Sequence, residues 1–223
     1  MWDSIEKMRS EIVAPVDTMG CDKLFLRDSS PSEKRFQILV SLLLSSQTKD
    51  EITAGAAKRL FSAASSPQAI LSINEQEISK LIFPVGFYNR KASYIKKLSQ
   101  VLIDNYQGDV PKDVQVICKL PGIGPKMAYL AVNAAWGLCQ GIGVDVHVHR
   151  ISDRLGWTKN ASSPEITRKQ LEEWLPREYW SKINLLLVGF GQTICTAKNP
   201  KCSTCKALPF CPFGKTLMHK INR

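Results

Sequence analysis

The sequence has no apolar run that is long enough to cross a bilayer. Its longest apolar stretch, Phe36 to Leu44, is interrupted by Gln37 and Ser41, whereas a spanning helix needs about 20 apolar residues. The chain also lacks a basic opening segment followed by an apolar one, so we expect an intracellular protein with no secretory signal and no membrane partner. Strand-like alternation is scarce as well, which argues against a β-rich fold.

Acidic residues are outnumbered by basic ones. The chain has 20 Asp and Glu against 30 Lys and Arg, which gives a net charge of +10 and a pI of about 9.3. A basic excess of this size is typical of proteins that bind a polyanion such as nucleic acid, and a basic protein without such a partner is the alternative. The seven cysteines are odd in number and unevenly spread, which favours a reducing compartment over a disulfide framework.

Helical periodicity, in contrast, is abundant. Apolar residues recur at helical spacing from Phe36 to Leu44 and again from Ile183 to Phe190. Helices are further predicted near residues 50–62, 68–82, 89–106, 112–118, 125–137, 146–155, 164–174 and 181–194, with Gly- and Pro-containing breakers between them. We therefore predict an all-α protein of about ten short helices. Loop-like stretches predict domain boundaries near residue 28 and near residues 137–143.

The most informative motif is Leu120-Pro121-Gly122-Ile123-Gly124-Pro125-Lys126. The two glycines permit a tight turn and a close approach of another molecule to the backbone. Pro125 suits the first position of a helix, where a missing N–H costs nothing. The motif therefore predicts two helices joined by a hairpin, with free N–H groups suited to a phosphate and Lys126 on the first turn. A plain helix–helix turn with a solvated lysine is the alternative.

A compact set of cysteines with the spacing C-x6-C-x2-C-x5-C lies near the end of the sequence. Its members are Cys195, Cys202, Cys205 and Cys211. One C-x2-C pair flanked by single cysteines suits the four corners of an iron–sulfur cube, whereas a zinc ribbon separates two such pairs by a long insert. Zinc and reactive free thiols are the alternatives. Lys198 and Lys201 lie between the first two cysteines, where they could contact phosphates.

Taken in order, the hairpin, Lys126, Asp145 and the cysteine set resemble the endonuclease III family of DNA base-excision glycosylases, in the helix-hairpin-helix superfamily. Sequence blocks at 42–50, 85–89, 144–150 and 187–192 add to the resemblance, which is closer to the eukaryotic branch. It implies two helical domains flanking a DNA-binding cleft. One would comprise residues 28–138. The other would comprise residues 1–27 plus 139–223 and carry a [4Fe-4S] cluster on the four cysteines.

The resemblance implies that Lys126 and Asp145 are catalytic and face each other across the cleft. An amine can displace a damaged base from C1′ and remain attached as a Schiff base, which permits β-elimination of the 3′ phosphate. Helix dipoles disfavour the ammonium form of Lys126 and keep Asp145 ionised, so that its charge can stabilise the sugar cation and assist proton transfers. A phosphate-contacting lysine and a plain helix cap are the alternatives.

The target base must leave the stack to reach such a pocket. By resemblance, Gln47 fills the gap in the duplex and Phe87 wedges between bases of the opposite strand. The alternatives are a polar residue at a helix end and a core aromatic.

Other DNA contacts are implied around the hairpin and after Asp145. Gly122 and Gly124 would hold a phosphate without reading sequence, and Lys119 would add an ionic contact unless it is merely solvated. His147 matches a family position near the active site, whereas His149 is interpreted as a helix-surface residue.

The predicted function is therefore removal of oxidised pyrimidines and cleavage of abasic sites in double-stranded DNA, by a monomer in the nucleus, the mitochondrion or both. The lesion type and the compartment are implied by the resemblance alone. A mismatch adenine glycosylase is the nearest rival, but that group lacks a lysine at the position of Lys126. A non-catalytic DNA-binding module would not need Lys126 and Asp145 together. The chain departs from the family at Val146, where threonine is usual.

Overall fold

The computed structural model describes residues 1–221 and contains no strand over that range, which confirms the predicted all-α class. Its α-helices, in chain order, are α1 (Trp2–Ser10), α2 (Pro15–Met19), α3 (Pro31–Ser45), α4 (Asp50–Ala63), α5 (Pro67–Ser72), α6 (Glu75–Ile82), α7 (Tyr88–Tyr106), α8 (Val114–Ile117), α9 (Pro125–Trp136), α10 (Val146–Arg154), α11 (Pro164–Trp174), α12 (Ile183–Thr193) and α13 (Pro212–Ile221). Single 3₁₀ turns occupy Cys21–Lys23, Arg177–Tyr179, Cys202–Thr204 and Leu208–Phe210. None of the helices described combines the length and apolarity that a bilayer crossing demands.

Side-chain caps explain where several helices begin. Ser30 and Glu33 form a reciprocal capping box at the start of α3: the Ser30 hydroxyl accepts from the Glu33 N–H at 3.4 Å and Glu33 Oε2 accepts from the Ser30 N–H at 2.8 Å. Asn74 Oδ1 accepts from the Glu77 N–H at 2.8 Å and starts α6. The cap at Asn74 divides the predicted helix 68–82 into α5 and α6, and helix α13 lies outside the predicted set.

The chain forms two compact units. Residues Thr18–Gln140 make one, hereafter the central unit, and Met1–Asp17 with Gly141–Arg223 make the other, hereafter the terminal unit, which is described up to residue 221. The boundaries predicted from the sequence are residues 28 and 138, whereas the chain changes unit after residue 17 and after residue 140, so residues 18–27 belong to the central unit. The terminal unit therefore brings together both ends of the described chain.

Helix α3 forms the centre of the central unit. It packs against α4, α7 and α9, and every residue from Phe36 to Leu44 is buried. A helix that is apolar on most of its circumference is stable only when neighbours cover it all round. Buried Gln37 satisfies its polar side chain by donating to Ser29 Oγ at 2.8 Å and to the Ser65 carbonyl at 3.0 Å.

The terminal unit is built on α12, which packs against α1 and α10. Its apolar cluster includes Ile5, Val148, Leu187 and Phe190. Arg9 is held within this unit, where it donates to Asp17 Oδ1 at 2.6 Å. Contacts between α1 and α12 explain why the first helix belongs with residues that are far away in sequence.

Candidate functional site

The Gly-rich motif forms the predicted hairpin in the central unit, between α8 and α9. Gly122 has φ +78°, and a Cβ there would lie 2.8 Å from the Tyr94 ring, so only glycine fits. Gly124 has an ordinary φ of −106° and open space where a Cβ would be. Only Gly122 is therefore required by the turn, and Gly124 leaves the backbone beside the start of α9 uncovered.

Lys126 lies on the first turn of α9, directly after Pro125 at the first helical position. Its side chain is half-buried. Electrostatic interactions link it to two other groups of the central unit. Burial, helped by the charge of Lys126, lowers the pKa of Lys91 to about 8. Burial raises the pKa of the Cys21 thiol to about 11 although a Ser45 hydrogen bond and Lys126 oppose the change.

Asp145 caps α10 in the terminal unit. Its Oδ1 accepts from the backbone N–H groups of His147, at 3.0 Å, and Val148, at 2.8 Å. Its Oδ2 has no hydrogen-bond partner within residues 1–221. Val146, where the family usually has threonine, is 69 % exposed and takes no part in the cap. The missing hydroxyl therefore leaves the hydrogen bonds that orient Asp145 intact.

Gln47 and Phe87 are both exposed, and both have left-handed backbone conformations, with φ values of 52° and 57°. Such values are uncommon outside glycine and often mark functional positions. The two loops touch, because the Gly86 N–H donates to Thr48 Oγ1 at 3.1 Å and a Cβ at Gly86 would lie 2.7 Å from the Gln47 carbonyl oxygen. The structure thus brings the two residues that the sequence singles out together on one unit.

The remaining predicted contact residues are distributed over both units. Lys119 is exposed before the hairpin. His147 Nδ1 lies within hydrogen-bond distance of Arg150 Nη2, at 3.3 Å, and the His147 ring packs against Gly191 of α12. His149 is half-buried, and its Nδ1 lies 2.6 Å from Thr167 Oγ1, so its ring is engaged between α10 and α11.

Lys198 and Lys201 are exposed on a loop that is firmly held. Arg154 donates to the carbonyls of Thr196, at 2.7 Å, and Ala197, at 2.8 Å, and the Lys201 N–H donates to the Ile194 carbonyl at 2.9 Å. The sequence does not single out Arg154 as a residue that holds this loop, since an arginine near a helix end ordinarily faces solvent.

All four cysteines of the C-terminal set line one cavity of the terminal unit, which holds about 340 Å³ of empty space including the part open to solvent. Apolar residues such as Leu155, Phe190 and Phe213 complete its walls. Within the described chain no three His, Cys, Asp or Glu side chains are grouped around a point suited to a single metal ion. The thiols therefore surround a space rather than converge on one centre.

Two of the cysteine sulfur atoms at this cavity accept hydrogen bonds from other groups of the terminal unit. The Gly214 N–H donates to Cys211 Sγ at 3.3 Å and Arg154 Nη1 to Cys195 Sγ at 3.4 Å. Burial, together with the neighbouring thiolates, raises the pKa of Cys202 and Cys205. A cationic inorganic core would offset this repulsion.

Comparisons with known proteins agree with this geometry. The family described as HhH-GPD superfamily base excision DNA repair protein matches residues 40–177, a span that holds the hairpin, Lys126 and Asp145. The endonuclease III-like protein 1 of Bos taurus is 50 % identical over 216 residues, which cover 96 % of this chain and 71 % of that protein. The protein of the same name from Mus musculus is 48 % identical over 215 residues, covering 96 % and 72 %.

Solved structures lead to the same family. An endonuclease III trapped as a covalent intermediate with DNA aligns with a TM-score of 0.82 and 32 % identity, over 96 % of this chain and 95 % of that one. A non-covalent endonuclease III–DNA complex aligns with a TM-score of 0.83 and 33 % identity, over 97 % and 94 %. The fold and the hairpin define a helical base-excision repair protein. The chain belongs to the HhH-GPD superfamily and, within it, to the endonuclease III-like DNA glycosylases.

Proposed function

We propose that this protein removes oxidised pyrimidines from double-stranded DNA and cleaves the remaining abasic site through a Schiff base on Lys126. Membership in the family makes it a base-excision repair DNA glycosylase and abasic-site lyase. The observation that carries the residue-level proposal is a half-buried lysine on the first turn of the helix that follows the Gly-rich hairpin. A related endonuclease III has been trapped as a covalent intermediate with DNA, which supports a nucleophilic side chain in this family.

The chemistry begins when the neutral Lys126 amine attacks C1′ of the sugar. The N–C1′ bond forms as the bond to the base breaks, and the base departs with a proton. Opening of the sugar ring gives an imine at C1′. Loss of a C2′ proton then expels the 3′ phosphate, and water hydrolyses the imine to release the lysine. Asp145 keeps a carboxylate oxygen available because its cap bonds use Oδ1 alone, so it can stabilise the positive sugar and move protons.

DNA binding would use exposed groups of both units. The backbone N–H groups beside Gly122 and Gly124 would bind a phosphate at the start of α9, and Lys119, Lys198 and Lys201 would add ionic contacts. Gln47 and Phe87 would enter the duplex when the damaged base is extruded. The proposal that His147 lies near the bound DNA rests on the resemblance and on its place in the turn after Asp145.

We further propose that the four cysteines hold a [4Fe-4S] cluster. A single cavity lined by all four thiols supports this, because a cube with an iron at each cysteine needs space between the ligands. The cluster would cross-link the loop that carries Lys198 and Lys201, because both lysines lie between two of its cysteine ligands. Arg154 would hold the same loop by its two carbonyl contacts and shield the Cys195 sulfur.

The natural substrate is DNA with damaged bases or abasic sites, and we expect the enzyme to act as a monomer. As a DNA-repair enzyme similar to eukaryotic endonuclease III homologues it is intracellular. The nucleus, the mitochondrion or both are the proposed compartments.

The test is strand nicking and borohydride trapping on duplexes that contain thymine glycol or an abasic site. Replacing Lys126 by Gln should lower both by about 1,000-fold or more, because the amide cannot form an imine. The control is Lys58→Gln, an exposed lysine on α4 of the same unit, which should leave both unchanged. Equal trapping by Lys126→Gln and the parent enzyme would refute the assignment.

A further inference from the structure

Lys91, on the first turn of α7, is a lysine that the mechanism does not use. It is only 6 % exposed, although lysines almost never enter a protein interior without partners. Its Nζ donates to the carbonyls of Leu44, at 2.8 Å, and Ser46, at 2.5 Å, and lies 3.4 Å from Thr48 Oγ1. A buried ammonium with three oxygen partners is well satisfied, so its position is specific.

The acceptors of Lys91 lie at the end of α3 and in the turn that follows. The last carbonyls of a helix lack partners within the helix, and a cation placed there is favoured by the helix dipole. Gln47, with its left-handed backbone, lies between Ser46 and Thr48 in this turn. Lys91 therefore holds the chain on both sides of Gln47.

The same group of contacts reaches Phe87. The Lys91 backbone N–H donates to the Phe87 carbonyl at 3.0 Å, four residues back in the first turn of α7. Thr48 Oγ1, which Lys91 contacts, accepts from the Gly86 N–H at 3.1 Å. Lys91, Thr48 and Gly86 thus connect the two left-handed residues through one network, which we term the Lys91 network.

The side chains that this network supports are exposed. Phe87 is 63 % exposed, which is unusual for a large aromatic on a strained backbone, and Gln47 is exposed beside it. Strained backbone persists only where the surrounding structure over-determines it. The charge of Lys126, the proposed nucleophile, also acts on Lys91.

We propose that Lys91 is a positioning residue that fixes Gln47 and Phe87 in the conformations from which they enter the DNA during base extrusion. This inference rests on the proposed function. Lys91 touches neither the substrate nor the reacting atoms, so it acts only through the two residues that it positions. Its loss should slow extrusion of the base more than it affects the attack of Lys126 on the sugar.

The test is a mutant cycle between Lys91→Met and the double variant Gln47→Ala/Phe87→Ala. Single-turnover excision of thymine glycol is measured, and 2-aminopurine opposite the lesion reports base unstacking by its fluorescence. Lys91→Met should slow excision by about 10- to 100-fold and reduce the fluorescence rise. In the background without Gln47 and Phe87 it should slow excision by less than about 2-fold, because coupled residues are not additive.

Two further variants separate positioning from loss of folding. Lys91→Arg keeps a cationic donor for the same carbonyls and should slow excision less than Lys91→Met does. Lys97→Met, an exposed lysine on the same helix, should change nothing. If Lys91→Met does not fold, Thr48→Val removes the link to Gly86 and should show a smaller loss with the same coupling.

The inference would be overturned if Lys91→Met slowed excision equally with and without Gln47 and Phe87. The same holds for Thr48→Val where it is used in place of Lys91→Met. Normal excision and fluorescence in that variant would also overturn it. If the parent enzyme neither excises thymine glycol nor nicks the strand, the proposed function fails first and the inference falls with it. Failure of the positioning role alone leaves the parent activity intact, so the two failures are distinguishable.

Discussion

The central unit is organised around an apolar helix, α3, whereas the terminal unit surrounds a cysteine-lined cavity with a smaller core. Among the described residues, 28 buried apolar side chains form the central cluster and 15 the terminal one. The terminal unit has side-chain contacts that hold the loop beside its cavity. Arg154 and Arg150 make them by binding the carbonyls of the loop that starts at Cys195, and the proposed cluster would add a further cross-link.

The two units also differ in the groups that they contribute to chemistry. The central unit provides Lys126, the proposed nucleophile, and the residues proposed to enter the duplex. The terminal unit provides an anion, Asp145, and basic residues on a braced loop. The central unit, with the larger apolar core, carries the strained and exposed residues Gln47 and Phe87, whereas the loop of the terminal unit is held by Arg150 and Arg154.

Removing a ligand of the proposed cluster should produce the largest difference in stability between the two units. Cys202→Ser should destabilise the terminal unit by about 4 kcal/mol or more, while amides of α3 and α7 keep their protection. Iron and sulfide analysis together with hydrogen exchange measures this. Cys139→Ser, in the central unit and outside the set of four, is the control and should retain full iron content. Equal loss of protection in both units would show that the terminal unit has no separate dependence on the cluster.

Each unit has a fully buried phenylalanine that allows the two cores to be compared directly: Phe36 in the central unit and Phe190 in the terminal unit. Phe36 and Phe190 are 0 % and 1 % exposed, and changing either to Ala should cost about 3–5 kcal/mol in unfolding free energy. Phe190 also lines the cysteine cavity, so only Phe190→Ala should lower the iron bound per chain. Denaturant unfolding and iron analysis on both variants measure this. If Phe36→Ala lost a comparable amount of iron, iron binding would depend on the core of the central unit as well, which would contradict this prediction.

The smallest effect concerns the ion pair between Arg35 and Asp109 in the central unit, at 2.6 Å. Burial opposes ionisation, but the hydrogen bond and charge of Arg35 outweigh it and hold the pKa of Asp109 below its ordinary value. The carboxylate therefore stabilises the fold above the ordinary carboxyl pKa, and this contribution is lost as the pH falls through the lower folded value.

Asp109→Asn should reduce the unfolding free energy by about 1 kcal/mol at pH 7. The difference from the parent protein should shrink as the pH falls below about 4. Urea unfolding over this pH range measures it, with the exposed Asp104→Asn on α7 as control. If the difference in unfolding free energy between Asp109→Asn and the parent protein grew toward low pH, the ionised Asp109 carboxylate would not be the stabilising form.

Much of the fold and of the site could be predicted from local sequence. The helices, the hairpin before Lys126 and the cap at Asp145 follow from periodicity, glycine, proline and capping side chains within a few residues of each other. The spacing of the cysteines predicted that they belong together, and they line one cavity. The contact of His149 with Thr167 of a neighbouring helix was not predicted, because the two residues are 18 positions apart in the chain.

The sequence by itself determined an all-helical chain and the residue types available for chemistry, because helix formation and capping depend on neighbours about four positions away. Tertiary structure alone decided that Lys91 is buried, that Arg154 holds the cysteine loop, and that Gln47 and Phe87 share one surface. Lys91 bonds to acceptors 43 to 47 positions away in the chain. No local pattern specifies such a contact, because it exists only once α3 and α7 have packed together.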